Sequence, residues 1–263
     1  FAAFLDAAPT ESVAGIVIGA WEDMYDANGA AAAIVEALVV ARNRLPNLRA
    51  IFFGDIISEE CEISWIQQTD ISPLFAAYPQ LEHFCVRGSV GLQLGALRHA
   101  SLRSLVIQSG GLDVAIVRAA ISADLPNLEH LELWLGTEDY GASTTVADLA
   151  PLFGGERFAR LHYLGLRDSD IADEIAVAVA GAPILERIRT LDLSLGTLGD
   201  EGAGALLASP AVARLEKLDI HHHYCSDAMV ARLHGLGIAV DASEQEQPDT
   251  YGGEAHRYVA VGE

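Results

Sequence analysis

The chain has 263 residues, 51% of them hydrophobic, and sets 16 Lys and Arg against 37 Asp and Glu for a formal net charge of −21. A field of that sign repels phosphate backbones and anionic headgroups, which argues against nucleic acid and membrane surfaces as partners. No apolar run reaches the roughly 20 residues that cross a bilayer, and the three separated cysteines, Cys61, Cys85 and Cys225, make neither a disulfide framework nor a zinc spacing, which fits reduced thiols in a cytoplasm.

Taken in order, Phe1 to Ser12 carry no repeat and are expected to shield the first strand. Gly15 to Trp21 read as a buried strand, and Asn28-Gly29 as a turn. The run from Ala31 to Leu45 reads as a helix, closed by Arg42 and Arg44 and stopped by Pro46. Ser58 to Pro79 is the largest insertion, and its Trp65 is expected to pack beneath the loop. Further helices are expected at Val114–Ala123, at Val146–Phe153 behind Ser143, Thr144 and Thr145, and at Ile171–Gly181 with Asp170 as cap. Two more follow Asp200 (Glu201–Ala208) and Ser226 (Asp227–His234), and Gly235–Asp241 ends the series as a short strand. Residues 242–263 form an acidic linker and then RYVAVGE, apolar enough to fold back over the last repeat, with a frayed end as the alternative.

One phrase recurs through all of this: apolar residues at the first, fourth and sixth positions of LRAIFF from Leu48, LEHFCV from Leu81, LRSLVI from Leu102 and LEHLEL from Leu128. It returns as LHYLGL from Leu161, IRTLDL from Ile188 and LEKLDI from Leu215, with a weaker VAGIVI from Val13, at spacings of 35, 33, 21, 26, 33, 27 and 27 residues. The phrase is the opening of a leucine-rich repeat. The chain resembles the ribonuclease-inhibitor-like class of these proteins. Three stretches, ISWIQQTDISPLFAAYPQLEHFCVRG, LDIHHHYCSDAMVARL and RYVAVGE, are similar to an actinobacterial leucine-rich-repeat family of no established activity. The resemblance implies a right-handed α/β solenoid over residues 1–241, with a parallel inner sheet, outer helices and an N-terminal cap segment. The Asn usual at the ninth position is absent; Ile56, Ser89, Gly110, Gly136, Ser169, Gly196 and His223 stand there instead. The turns after the strands must therefore satisfy their backbone groups by another route.

Because side chains alternate along a strand, positions three, five and seven should face the open concave side. In register, equal positions of adjacent strands become lateral neighbours about 4.8 Å apart. The N-terminal half of this wall mixes apolar and small residues. The C-terminal half carries His130, Glu132, Trp134, Tyr163, Arg167, Asp192, Lys217, Asp219 and His221. Aromatics and Arg are common interface anchors, so this wall is the expected binding surface for a protein partner, a basic one on charge grounds. No cofactor, catalytic residue or resident metal is expected. The alternative is a small-ligand or metal-dependent site at Asp192, Asp219 and His221, where adjacent carboxylates need offsetting by Arg167, Lys217 or an ion. Cys85 beside His83 has no orienting third group for nucleophilic catalysis. In the HHHYC run, His223 should turn inward at a repeat corner, with His222 half exposed.

Overall fold

The structure, a computed structural model, describes residues 2–7, 9–27 and 29–262. Phe1 and Ala8 of the expected cap, Asn28 of the expected turn and Glu263 of the expected tail lie outside the described residues. The chain opens with α1 (Ala2–Ala7), β1 (Gly15–Ile18), α2 (Ala30–Val40), β2 (Ala50–Phe53), α3 (Ser72–Ala77), β3 (His83–Arg87) and β4 (Ser104–Gln108). It continues through α4 (Val114–Ser122), β5 (His130–Gly136), α5 (Val146–Phe153), β6 (Tyr163–Ser169), α6 (Ala172–Ala180), β7 (Thr190–Asp192) and α7 (Asp200–Ala208). The series closes with β8 (Lys217–Asp219), α8 (Asp227–His234) and β9 (Ala239–Asp241), followed by a hairpin of β10 (Asp249–Tyr251) and β11 (Glu254–His256). Strands β1 to β9 form one sheet in chain order, and every neighbouring pair is parallel. Parallel neighbours need a crossover, and a solenoid supplies one with each coil. This is the α/β solenoid of the leucine-rich repeat.

The repeat's leucines build its core. Leu105, Leu131, Leu164, Leu191 and Leu218 occupy the fourth position of successive repeats and are all 0% exposed. Each such side chain stabilises the fold by roughly 1.5–3 kcal/mol. The side-by-side helices α4 to α8 close the other face of that core. Register follows the repeat position by position: Phe52 pairs with Cys85, Cys85 with Val106, Val106 with Glu132, and so on to Asp241.

The turns after the strands manage without asparagine. The eighth position of four repeats is left-handed, at Gly88, Asp168, Leu195 and His222. Such a backbone costs on the order of 1–3 kcal/mol at a residue other than glycine, so packing holds Asp168, Leu195 and His222 there. Neighbouring coils answer the free backbone groups: the Ser169 carbonyl accepts from the amide of Thr197 at 3.0 Å and its hydroxyl at 3.2 Å.

Several expectations are corrected. The strand at Gly15 lies at the sheet edge, and Val17, on the concave face of that edge strand, is 64% exposed. The first long helix ends at Val40 and tightens into a 3₁₀ turn over Ala41–Arg44. Trp65 is 58% exposed. A 3₁₀ turn at Ile63–Trp65 sends Ile63 and Ile66 inward instead, and Ile66 joins Ile56 and Cys61 in a small satellite core. Asp170 and Asp200 do not cap their own helices. Asp170 accepts from the Glu138 amide of the preceding coil, and Asp200 accepts from Ser226 of the following one. Two of the helix starts match the sequence: Asp148 receives the Thr145 amide and hydroxyl in a capping box, and Ser226 accepts from the Met229 amide.

Residues 242–246 cover the last coil, where Gln245 bridges His223 and the Glu246 amide donates to the His223 carbonyl. His223 itself is fully buried. Its Nδ1 accepts from the Cys225 amide, so Nε2 carries the proton and donates to the Ala242 carbonyl at 3.1 Å. Arg257–Gly262 then runs back across earlier coils as far as Ser64.

Candidate functional site

The C-terminal half of the concave wall is a connected polar network centred on Glu132. Its Oε1 accepts from Trp134 Nε1 at 2.7 Å and from Arg167 Nη1 at 3.1 Å. Its Oε2 lies 3.1 Å from the Tyr163 hydroxyl and 3.4 Å from His130 Nε2. Tyr163 has one hydroxyl proton, and the shorter contact, 2.6 Å to Asp192 Oδ2, receives it. Gly165 occupies the place between Glu132 and Asp192 on the fifth-position row. A Cβ there would stand 3.1 Å from both the Glu132 stem and the Tyr163 ring. The missing side chain is what lets Tyr163 lie across the row and join two carboxylates on strands that are not neighbours.

Arg167 fills the remaining space. Its Nε donates to Ser194 Oγ at 2.8 Å and lies 3.5 Å from Asp192 Oδ2, while its guanidinium covers the Trp134 ring at 5.2 Å. The His130 ring stacks on Tyr163 at 3.8 Å between centroids. The network extends to His221, whose Nε2 is 3.5 Å from Arg167 Nη2 and whose Nδ1 is 2.7 Å from Asp219 Oδ1. These contacts define one tautomer, with the proton on Nδ1 shared with Asp219. Lys217 closes the far end, 2.8 Å from Asp219 Oδ2 and 3.9 Å from Asp241 Oδ2. The nine residues singled out from sequence thus lie on four adjacent strands, or on the turns that follow them, and are joined by direct contacts. Asp241 on β9, Ser194 and Gly165 complete the set. Asp241 is readable only once β9 is known to continue the register.

The carboxylates are buried, with Glu132 7%, Asp192 4% and Asp219 6% exposed. Burial pushes Glu132 upward, yet hydrogen bonds from His130 and Trp134 and the Arg167 charge outweigh it and hold the carboxyl down at about 2. Burial also works against Asp219, and the Lys217 and His221 contacts overcome it. The Tyr163 hydroxyl is pushed strongly up, by burial first and then by the Asp192 and Glu132 charges. Those three groups therefore keep fixed protonation states near neutral pH. The wall presents fixed charge and aromatic surface; its rims of Trp134, His130 and Lys217 remain partly exposed.

The metal alternative changes its membership. Asp192 turns to Tyr163 and Arg167, so the ligand-type atoms that converge belong to Asp219, His221 and Asp241, within 4.8 Å of one another. Two of these three already contact the Lys217 ammonium. In the N-terminal half, burial first and the Glu132 charge second push the Cys85 thiol up to about 12, so it is no ready nucleophile at neutral pH. A separate apolar cavity of about 600 Å³ lies between β1 and α2, lined by Ile16, Ile18, Trp21 and Ile34. Among the described residues, no helix is long and apolar enough to cross a membrane.

No family model matches the chain, and no curated protein matches it. Among solved structures, an internalin from Listeria monocytogenes is similar at 14% identity over 80% of this chain and 71% of that one, with a TM-score of 0.33. That likeness is too low to bear on fold or function. A protein from Bacteroides fragilis, solved as a structural genomics target, is 32% identical over 98% of this chain and 72% of its own, with a TM-score of 0.89. The chain belongs to the same family as that Bacteroides fragilis protein, and it is built as a solenoid of leucine-rich repeats.

Proposed function

We propose that the protein is a non-catalytic interaction scaffold that docks a protein partner on the C-terminal half of the concave wall. The observation that carries this reading is the cluster around Glu132. There the Arg167 guanidinium over the Trp134 ring and the stacked His130 and Tyr163 rings stand partly exposed above buried carboxylates. Preformed aromatic and arginine anchors over fixed negative charge fit a partner that inserts basic side chains. The reading includes a cytoplasmic setting, no nucleic acid, and membership of the ribonuclease-inhibitor-like class with its likeness to an actinobacterial family. A photo-crosslinking residue at Trp134 should capture a protein in the native host, and the same residue at Val177, exposed on α6, should not. Equal capture at both positions, or at neither, would sink the concave assignment. Capture that does not weaken with salt would remove its electrostatic part.

The second reading, a divalent ion at Asp219, His221 and Asp241, rests on the convergence of their ligand atoms. An ion must displace Lys217 there, so Lys217→Met should raise metal affinity if the site is real. Metal analysis of untagged protein after zinc or manganese loading distinguishes the two readings.

A further inference from the structure

The tail crosses the repeats on residues other than those of the concave wall. Arg257–Gly262 is held chiefly through its backbone. The Tyr258 amide donates to the Tyr224 hydroxyl, which in turn donates to the Tyr258 carbonyl, both at 2.9 Å. The Ala260 amide donates to the Leu195 carbonyl at 2.8 Å, and the Val261 amide to Asp168 Oδ1 at 2.9 Å. The Gly262 carbonyl accepts from Ser64 Oγ at 2.8 Å. One side chain adds a charged anchor: Arg257 Nη1 lies 2.9 Å from Asp173 Oδ2, and the guanidinium carbon lies 5.8 Å from the centre of the Tyr224 ring. Backbone contacts for affinity and a few anchors for specificity are how proteins hold extended peptides.

The body of the solenoid is shaped for this occupant. Asp168 at the end of β6 and Leu195 after β7, which meet the Val261 and Ala260 amides, both have left-handed backbone. Asp168 is fully buried, and its second carboxylate oxygen has no hydrogen-bond partner among the described residues. A Cβ at Gly199 would overlap the Arg257 guanidinium, and one at Gly110 would overlap both the Ser64 hydroxyl and the Gly262 carbonyl oxygen bonded to it. Neither glycine has the left-handed backbone that would otherwise call for glycine. Between the last coil and this segment stands the β10–β11 hairpin, with Asp249 to Ala255 exposed, a tether making few contacts with the body.

We propose that the turns following β4 to β8 form a groove for an extended peptide of the type Arg-Tyr-Val-Ala-Val-Gly, and that this chain's own Arg257–Gly262 fills it in cis. A partner segment of the same chemistry must displace the tail to bind. The short tether gives the tail a high effective concentration, so displacement is disfavoured until the partner is abundant or the tail is drawn away.

The test is fluorescence polarisation with labelled Arg-Tyr-Val-Ala-Val-Gly against two proteins, the full chain and a chain ending at His256. The shortened chain should bind saturably, the full chain at least about 10-fold more weakly, and Gly199→Leu in the shortened chain should lose at least about 10-fold. A folded shortened chain that ignores the peptide, or takes a scrambled one equally well, overturns the proposal. Equal binding by the full chain also overturns it. If the shortened chain does not fold, a protease site placed at Gly252-Gly253 allows cleavage after folding. The freed fragment should then stay with the body through gel filtration and exchange with excess peptide; loss without rebinding overturns the proposal. Trp134→Ala should leave peptide binding unchanged, so failure of this groove and failure of the concave reading remain separable.

Discussion

The two halves of the concave wall share one backbone and differ in chemistry. Along the fifth-position row the N-terminal half reads Val17, Phe52, Cys85 and Val106, and the C-terminal half reads Glu132, Gly165, Asp192, Asp219 and Asp241. A parallel register places equal positions side by side whatever they are. Dispersion suffices for the first group. The second would repel itself, and it persists because cations and a gap are interleaved. Arg167 lies between Glu132 and Asp192, Lys217 between Asp219 and Asp241, and Gly165 leaves room for Tyr163. Periodicity thus fixes which residues meet, and residue identity decides whether the meeting needs compensation.

The largest expected effect comes from removing that compensation. Arg167→Ala leaves Glu132 and Asp192 buried without the cation they share, which should cost about 3–5 kcal/mol. The counterpart on the other half is Arg87, at the same repeat position. It donates to the Gln108 side chain and the Ile56 carbonyl and lies over Phe52, with no carboxylate in direct contact among the described residues. Arg87→Ala should cost about 1–2 kcal/mol. Urea unfolding of both variants measures the difference, and equal losses would show that the C-terminal network is not under electrostatic load.

A slightly smaller effect lies where the halves join. Gly136 ends β5 with φ +73°, and a Cβ there would overlap the Gly110 carbonyl. Gly136→Ala combines a disfavoured backbone with a clash against main chain that cannot rotate away, for a loss of about 3 kcal/mol. A loss near zero would mean the two turns part easily, and the halves would then behave as separable units in hydrogen exchange.

Acid should act on one half first. Glu132 sits at about 2 in the folded chain against an ordinary value of 4.5. Its folded value is depressed, so its contribution is present above about 4.5 and is lost as pH falls towards about 2. Glu132→Gln should flatten that acid limb by on the order of 2 kcal/mol. Stability followed by fluorescence across this window checks it; an unchanged slope in the variant would place the acid sensitivity elsewhere.

The repeat period made the lateral neighbours legible. Tyr163 beside Thr190, and Asp192 beside Asp219, follow from counting along LHYLGL, IRTLDL and LEKLDI. What the side chains do once adjacent was not legible. Tyr163 reaches Asp192 on the next strand because Gly165 leaves the path open, and no pattern in one repeat announces a contact made across another. The same holds for Asp170 and Asp200, whose spacing suggests local caps but which bond to adjacent coils. Trp65 sits in an insertion with no period to assign it a face. The Val261 amide meets Asp168 across 93 residues of sequence, and only three-dimensional closure brings them together.

The effect that vanishes at neutral pH tests the apolar half at the other end of the pH scale. Burial first, then the Glu132 charge, raises the Cys85 thiol to about 12 from an ordinary 9.0. An acid whose folded value is raised holds its proton in the native chain while the unfolded chain releases it. Stability should therefore fall as pH rises from about 9 towards about 12, by up to about 1.4 kcal/mol per pH unit from this group alone. Cys85→Ala should remove part of that alkaline limb; Cys225, also raised to about 12 by burial, supplies another part. Near neutral pH the effect is kinetic, since only the thiolate reacts. Iodoacetamide should label Cys85 far more slowly in the native chain than after unfolding. Rapid native labelling would mean that the fifth-position row is wet on both sides of Gly136, and the contrast between the two halves would reduce to charge alone.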